Sequence, residues 1–422
     1  MPVRASVYLD HQSAGPLRPE ALEAMRPFLT EQWGNPSGLH RRAHRAREAL
    51  ARARAQAAAF LGAQADDIIF TSSGTEAANL ALRGAAEAME NALGEPFRSA
   101  IGSGREHVGT IITTRAEHPA VLAGTEWLGR RGWQAELIGV DNVGRIDGAG
   151  FAASIKQLEA GTPLLAALQL ANHDIGTRQP VRESAALVHE ANGVLFCDAT
   201  AAAGWMPIDV ASLGADLLSI SPQRLGGPKG VGVLYRRPGT RLAAQTLGGN
   251  QEQGLRGGTE NLPGIVGAGV ALELAARELE ERIAHAAQLQ QMLWDGLREK
   301  VTGLHLNGPE PGPERLPNQL NLSVEGLEGE ALLLALDAQG VQVHAGASCV
   351  AKQLKVPPVL AAIGLEPRLA QGSVTLSLGP ENTEKEIRRV LEVFPKVVTR
   401  LRAMSPARGG PPTGVTMPNA AK

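Results

Sequence analysis

Cysteine is nearly absent: Cys197 and Cys349 are the only two in 422 residues. Two thiols cannot staple a disulfide scaffold or build a Cys-based zinc site, so no metal centre is expected, and they suit a reducing, cytoplasmic setting. Aromatic residues are also scarce, at 3%. With abundant Ala, Gly and Arg this reads as a coding bias and carries no function. An excess of either charge is lacking too: 41 Lys+Arg stand against 43 Asp+Glu, a net charge of -2. Nothing there points to nucleic acid or an anionic membrane as partner. No apolar run is long enough to span a bilayer. The opening residues MPVRASVYLD contain no apolar stretch of the signal-peptide kind.

What is present is enough apolar material, 43% of residues, for a large core or two. Short apolar runs alternate with amphipathic helices, the pattern of an α/β sheet. Ile68 to Phe70, Pro163 to Leu170, Val194 to Cys197, Leu217 to Ile220 and Val231 to Tyr235 read as strands, and Val181 to Ala191 as a helix. They place a mostly parallel sheet between residues 18 and 263. Ile265 to Val301 keeps helical periodicity, as a link to a second unit. That unit, residues 264–404 joined by 1–17, mixes strands at Gln319 to Ser323 and Val341 to His344 with a helix at Gly329 to Gln339. A last helix begins at Thr383, where Thr383 and Glu386 form a capping box. Residues 405–422 are expected to be a disordered tail. Gly84 to Gly109 reads as a loop insertion. The basic stretch Arg41 to Arg54 is either an RNA-binding patch or the solvated face of a helix; its interleaved Ala and Leu favour the helix.

Three glycine-rich turns lie in the first unit. Ser72-Ser73-Gly74-Thr75 joins a strand to a helix, where free amides and a hydroxyl can bind phosphate. The second runs from Ser221 to Gly230 and the third from Gly248 to Thr259. Asp198 stands at the carboxyl end of a strand, the side on which open α/β sheets bind ligands. His118 follows another strand. A lone Asp or His is more often a cap, so the order of the set carries the meaning.

That set resembles the cysteine desulfurases of the class V aminotransferase group, from Val7 to about Pro406. Tyr8 to His11, Gly34 to His40 and Phe70 to Glu76 are similar to the family's opening strand, its GNPSSLH segment and its phosphate turn. The resemblance implies a fold-type-I pyridoxal-phosphate (PLP) transferase. It would have a large domain around a mainly parallel seven-stranded sheet and a smaller α+β C-terminal domain. It assigns phosphate-binding roles to Gly74, Thr75, Ser221 and Thr259, the last toward a neighbouring subunit. His118 would stack on the pyridine ring, Asp198 would pair with its nitrogen, and Cys349 would be the persulfide-forming cysteine. A homodimer and a sulfur-acceptor or scaffold protein are the partners implied.

The chain departs from the pattern in one pocket. The family's Schiff-base lysine reads Arg224, and its neighbouring histidine reads Gln223. His173 stands for an asparagine, Ala201 for a glutamine and Thr375 for the arginine that clamps the substrate carboxylate. A guanidinium stays protonated and cannot capture an aldehyde as an imine. These changes lead to the expectation of a desulfurase-like protein without standard activity. PLP or its amine form (PMP) would then bind without a covalent internal aldimine, or another phosphate-bearing ligand would take its place. The alternatives are an enzyme using non-covalent PLP or PMP, and an active PLP-dependent desulfurase converting L-cysteine to L-alanine with an enzyme persulfide. Lys229, in Gly227-Pro228-Lys229-Gly230, is the candidate for a substitute amine.

Overall fold

The computed structural model describes residues 6–93, 107–345 and 356–404. After β1 (Val7–Leu9) come helices α1 (Pro19–Thr30) and α2 (Arg41–Leu61). The large sheet holds β2 (Ile68–Thr71), β3 (Thr110–Thr114), β4 (Gln134–Ile138), β5 (Leu164–Gln169), β6 (Val194–Asp198), β7 (Leu217–Ile220) and β8 (Gly232–Arg236). Between its strands run α3 (Gly74–Ala92), α4 (Pro119–Arg130), α5 (Gly148–Lys156), α6 (Val181–Glu190) and the one-turn α7 (Val210–Leu213). The spatial order is β2-β8-β7-β6-β5-β3-β4. Strands β3 to β7 pair in parallel, and β8 is antiparallel to both of its neighbours.

The strands are near-continuous apolar runs because both faces of the sheet are covered. Successive side chains go to opposite faces. Ile68, Phe70, Cys197 and Leu218 join one core with Ala46, Leu50 and Ala53 of α2. Ile69, Phe196 and Leu217 join the other with Ala77, Leu80 and Ala81 of α3. In the 41–54 stretch Arg41, Arg42, Arg45, Arg47 and Arg52 are exposed, whereas Arg54 is half-buried over the Phe70 ring. Arg42 lies over the Trp33 ring, Arg47 donates to the Pro36 and Gly38 carbonyls, and Arg54 pairs with Glu252.

Residues Ile265 to Val301, expected as one helical link, form two helices, α8 (Leu262–Arg277) and α9 (Leu279–Lys300). The break is at Glu278, whose φ/ψ of −95/4 leaves the helical region and whose carboxylate takes both Arg18 nitrogens, at 3.0 and 3.1 Å. The smaller α+β domain continues with β9 (Leu304–Asn307), β10 (Gln319–Val324), α10 (Gly329–Asp337) and β11 (Val341–Val343). It ends with α11 (Pro358–Ala362), α12 (Pro367–Gln371), β12 (Ser373–Ser377) and α13 (Glu384–Met404). An antiparallel sheet β12-β10-β9 and the parallel pair β1-β11 pack on α9 and α13 through Leu293, Leu297, Leu322, Leu376, Val390 and Phe394. The cap at the start of α13 is as expected, with Glu386 accepting from Thr383 N and Thr383 Oγ1 accepting from Glu386 N.

The expected loop insertion is in part helix. Helix α3 carries on through Gly84, where a side chain would collide with Ala243 O at 2.7 Å, and stops only at Ala92. The rest of that segment, 94–106, lies outside the described residues, as do Cys349 and the tail 405–422. No helix among the described residues is long and apolar enough to cross a membrane.

Candidate active site

One cleft opens at the carboxyl ends of β5, β6 and β7. It is lined by Ser73, Gly74, Thr75, His118, Gln169, His173, Asp198, Thr200, Ser221, Gln223 and Arg224, with Ala120 and Ala171. The sheet register explains the gathering: Gln169 pairs with Asp198, and Asp198 with Ser219, so the turns that follow emerge side by side.

The turn before α3 is fixed from several directions. Ser73 Oγ accepts from Glu76 N at 3.1 Å, and Glu76 accepts from Ser72 N at 2.6 Å. Arg256, from the third glycine-rich turn, holds the other Glu76 oxygen at 3.0 Å. That third turn therefore supports the cleft without lining it. The amides of Gly74 and Thr75 have no partner among the described residues. They are the free N–H groups of a helix start, suited to an anion. A side chain at Gly74 would press on Thr200 Oγ1 at 3.3 Å and Ser221 Cβ at 3.4 Å, which shows how closely three segments converge there.

Asp198 is the last residue of β6, and Oδ1 carries both of its contacts, from Thr200 N at 3.0 Å and Ser219 Oγ at 3.1 Å. Oδ2 makes none to a described residue. His118 caps α4: its Nδ1 accepts from Ala120 N at 3.1 Å. That bond leaves the ring proton on Nε2. Its pKa falls to about 4, from burial first and then the neighbouring His173, whose ring lies edge-on at 5.0 Å. His173 Nδ1 is buried without a partner, as an atom awaiting a ligand would be. Glu117, next to His118, is fully enclosed; burial drives its carboxyl well above the usual range, and one oxygen accepts from Gln169 N at 2.9 Å.

The second glycine-rich turn supplies Ser221, Gln223 and Arg224. A short 3-10 turn, Pro222–Leu225, follows β7, closed by Gly226 at φ 84. Arg224 N donates to Ser221 O at 3.1 Å, and Gly15 N to Gln223 O at 3.2 Å. Burial lowers the Arg224 pKa, with Asp198, Asp174 and Asp10 opposing.

Of the residues singled out in the sequence, Gly74, Thr75, His118, His173, Asp198, Ser221, Gln223 and Arg224 meet in this cleft. Thr259 is exposed and takes no part in its own chain's cleft. Lys229 is exposed and does not line it. Thr375 is fully buried on β12, its hydroxyl accepting from Asn321 Nδ2 at 2.8 Å. Ala201 packs at the edge of the core. Gln169 went unremarked in the sequence, and Thr200 was given no role. A polar residue ending the apolar run of β5 was the available signal for Gln169. The second cysteine, Cys197, is wholly enclosed on β6, and burial pushes its thiol pKa well up, so it is no nucleophile. No group of His, Cys, Asp and Glu among the described residues could hold a metal ion.

The residues present fit the ring and phosphate of PLP: an acid for the ring nitrogen, an imidazole beside it, and unpaired helix-start amides with Ser221 and Thr75 hydroxyls for the phosphate. No lysine lines the cleft among the described residues; Lys352 and Lys355 lie outside them.

Residues 7–390 match the family Aminotransferase class-V. The chain is 37% identical over 404 residues to Cysteine desulfurase IscS of Dictyoglomus turgidum, covering 96% of this chain and 97% of that one. It is 39% identical over 401 residues to Cysteine desulfurase IscS of Methanosarcina thermophila, covering 95% and 94%. A solved NifS-like protein superposes with a TM-score of 0.82 at 32% identity, over 94% of this chain and 100% of the other. A solved SspA, in complex with cysteine, superposes at 0.72 with 28% identity, over 89% and 99%.

These likenesses correct the functional expectation. The changes at Arg224, Gln223, His173, Ala201 and Thr375 led to a catalytically degenerate chain holding PLP or PMP without a covalent bond. Near-full-length identity of 37% and 39% to proteins named cysteine desulfurases supports a working enzyme with the family's covalent cofactor instead. The physical reason is that the five changes do not act together. Ala201 and Thr375 stand outside the cleft, and the groups suited to ring and phosphate remain assembled around the other three. The chain belongs to the aminotransferase class-V family, in its cysteine desulfurase branch.

Proposed function

We propose that this chain is a PLP-dependent cysteine desulfurase, which moves the sulfur of L-cysteine onto a protein thiol and leaves L-alanine. The observation that carries the reading is an assembled cleft in a chain 37% identical over 96% of its length to a protein of that name. When bound, the cofactor supplies the electron sink that makes the substrate's bonds labile. The chain's own residues do the rest. Gly74, Thr75 and Ser221 would hold the phosphate. Asp198 would offer Oδ2 to the ring nitrogen, with Oδ1 fixed by Ser219 and Thr200. His118, its Nδ1 tied to the α4 backbone, would stack on the ring. His173 and Gln223 would serve the ring oxygen.

Cys349 is the sulfur acceptor in this reading, because Cys197 is sealed in the core. Thr259, exposed on its loop, serves the cleft of a second subunit, which makes the working form a homodimer. A sulfur-accepting protein completes the transfer.

The test is sulfide and L-alanine release from L-cysteine by the purified chain with added PLP and a reductant. Borohydride reduction followed by peptide mass spectrometry locates the nitrogen that carries the cofactor, since Arg224 occupies the position assigned to the family's lysine. Release of both products, abolished in Cys349→Ser, supports the reading. Absence of both with cofactor demonstrably bound refutes it.

A further inference from the structure

We propose that Arg224 is the residue that binds the α-carboxylate of the amino-acid substrate. This rests on the desulfurase reading, in which a free amino acid enters the cleft. Arg224 is the one Lys or Arg among the residues lining that cleft. Its guanidinium makes no hydrogen bond or ion pair with any described residue, whereas Arg18, Arg54 and Arg256 are each held by a glutamate. It is partly exposed, on a turn whose backbone is pinned to Ser221 and Gly15. A cation taken partly out of water without a partner is costly, and an incoming anion offsets that cost.

The three acids near Arg224 have other partners. Asp198 Oδ1 is bonded by Ser219 and Thr200, Asp174 faces His173 Nε2 at 3.6 Å, and Asp10 accepts from Ser13 Oγ at 2.7 Å. The phosphate end of the cleft is served by neutral groups, the Gly74 and Thr75 amides and the Ser221 hydroxyl, at the start of α3. Arg224 feels the charges of Asp198, Asp174 and Asp10, and it also acts on His118. Thr375, where the resemblance sets the carboxylate-binding arginine, is enclosed on β12 with its hydroxyl taken by Asn321. Among the described residues a carboxylate arriving in the cleft therefore meets a single free cation. The planar guanidinium can take both of its oxygens in parallel hydrogen bonds.

The experiment uses the full-length chain with PLP and measures both binding and turnover in Arg224→Gln and Arg224→Lys. The binding probes are L-alanine and L-alaninamide by titration calorimetry, with inorganic phosphate as a third. We expect Arg224→Gln to weaken L-alanine binding about 10- to 100-fold, from a charge-assisted contact of about 1.5–3 kcal/mol. Alaninamide binding should stay unchanged, KM for L-cysteine should rise, and Arg224→Lys should recover part of the loss. Unchanged L-alanine binding in Arg224→Gln overturns the proposal. So does an equal loss for the amide, which would mean a supporting role in the pocket, or a loss confined to phosphate, which would move Arg224 to the other end. Circular dichroism and Arg224→Lys guard against misfolding of the first variant. Arg224-dependent binding of L-alanine in a chain that releases no sulfide would uphold the carboxylate site and remove the desulfurase reading alone.

Discussion

Protonating His118 should cost the fold a measurable amount, and His118→Asn should abolish that cost. Its Nδ1 accepts the Ala120 amide at the start of α4, so a second ring proton would break the cap and set a cation against the helix dipole. Burial and the His173 ring lower its pKa from 6.5 to about 4. Asp198 and Asp174 pull the other way and Arg224 adds to the fall. The unfolded chain thus binds a proton that the folded chain refuses. Stability from this group is complete above about pH 7 and is lost as the pH falls from 6.5 toward 4. At ~1.36 kcal/mol per pKa unit, the loss between about pH 7.5 and about pH 5 is about 2 kcal/mol. Asn retains a cap acceptor without titrating. Urea unfolding of both proteins at the two pH values gives the difference of differences. The reasoning fails if His118→Asn loses as much stability on acidification as the unmodified chain.

Glu117 should show the opposite slope. Its folded pKa is raised by burial, so its cost is absent below about pH 4.5 and grows as the pH rises; Glu117→Gln should therefore be more stable than the parent at neutral pH, by urea midpoint. The Arg54–Glu252 pair, at 2.8 and 2.6 Å with Glu252 also accepting from Phe70 N at 2.8 Å, anchors α2 to the loop after β8. Glu252→Gln leaves Arg54 buried without a counter-charge and should cost about 3–5 kcal/mol in the same assay; a loss under 1 kcal/mol would show the pair to be dispensable. At Gly232 a side chain would overlap the Ser73 carbonyl, in the backbone of the anion turn, and the Thr71 hydroxyl just before it. Gly232→Ala should destabilise the fold by about 1–3 kcal/mol and weaken PLP binding, read by cofactor fluorescence; unaltered affinity would mean the turn does not cradle the phosphate.

Much of the fold was legible along the chain because the signals were local. The apolar run Pro163 to Leu170 reads as a buried strand, and the Ser72 to Thr75 turn announces a helix, which the structure starts at Gly74. The break at Glu278 was not legible, and the carboxylate there pairs with Arg18, 260 residues away. The same distinction ran through the cleft. The sequence named most of its polar residues, because those types recur at strand ends beside glycine.

The sequence by itself determined which elements form and which chemical groups are available: the apolar periodicity, the glycine-rich turns, and an arginine where the resemblance assigns a lysine. Only the tertiary structure decided which of those groups share one space. Parallel register set Gln169 beside Asp198, packing enclosed Cys197 and Thr375, and Arg224 was left facing the cleft without a partner. A side chain's charge is a property of the residue, but its unmet need for a counter-charge depends on what long-range packing brings within reach.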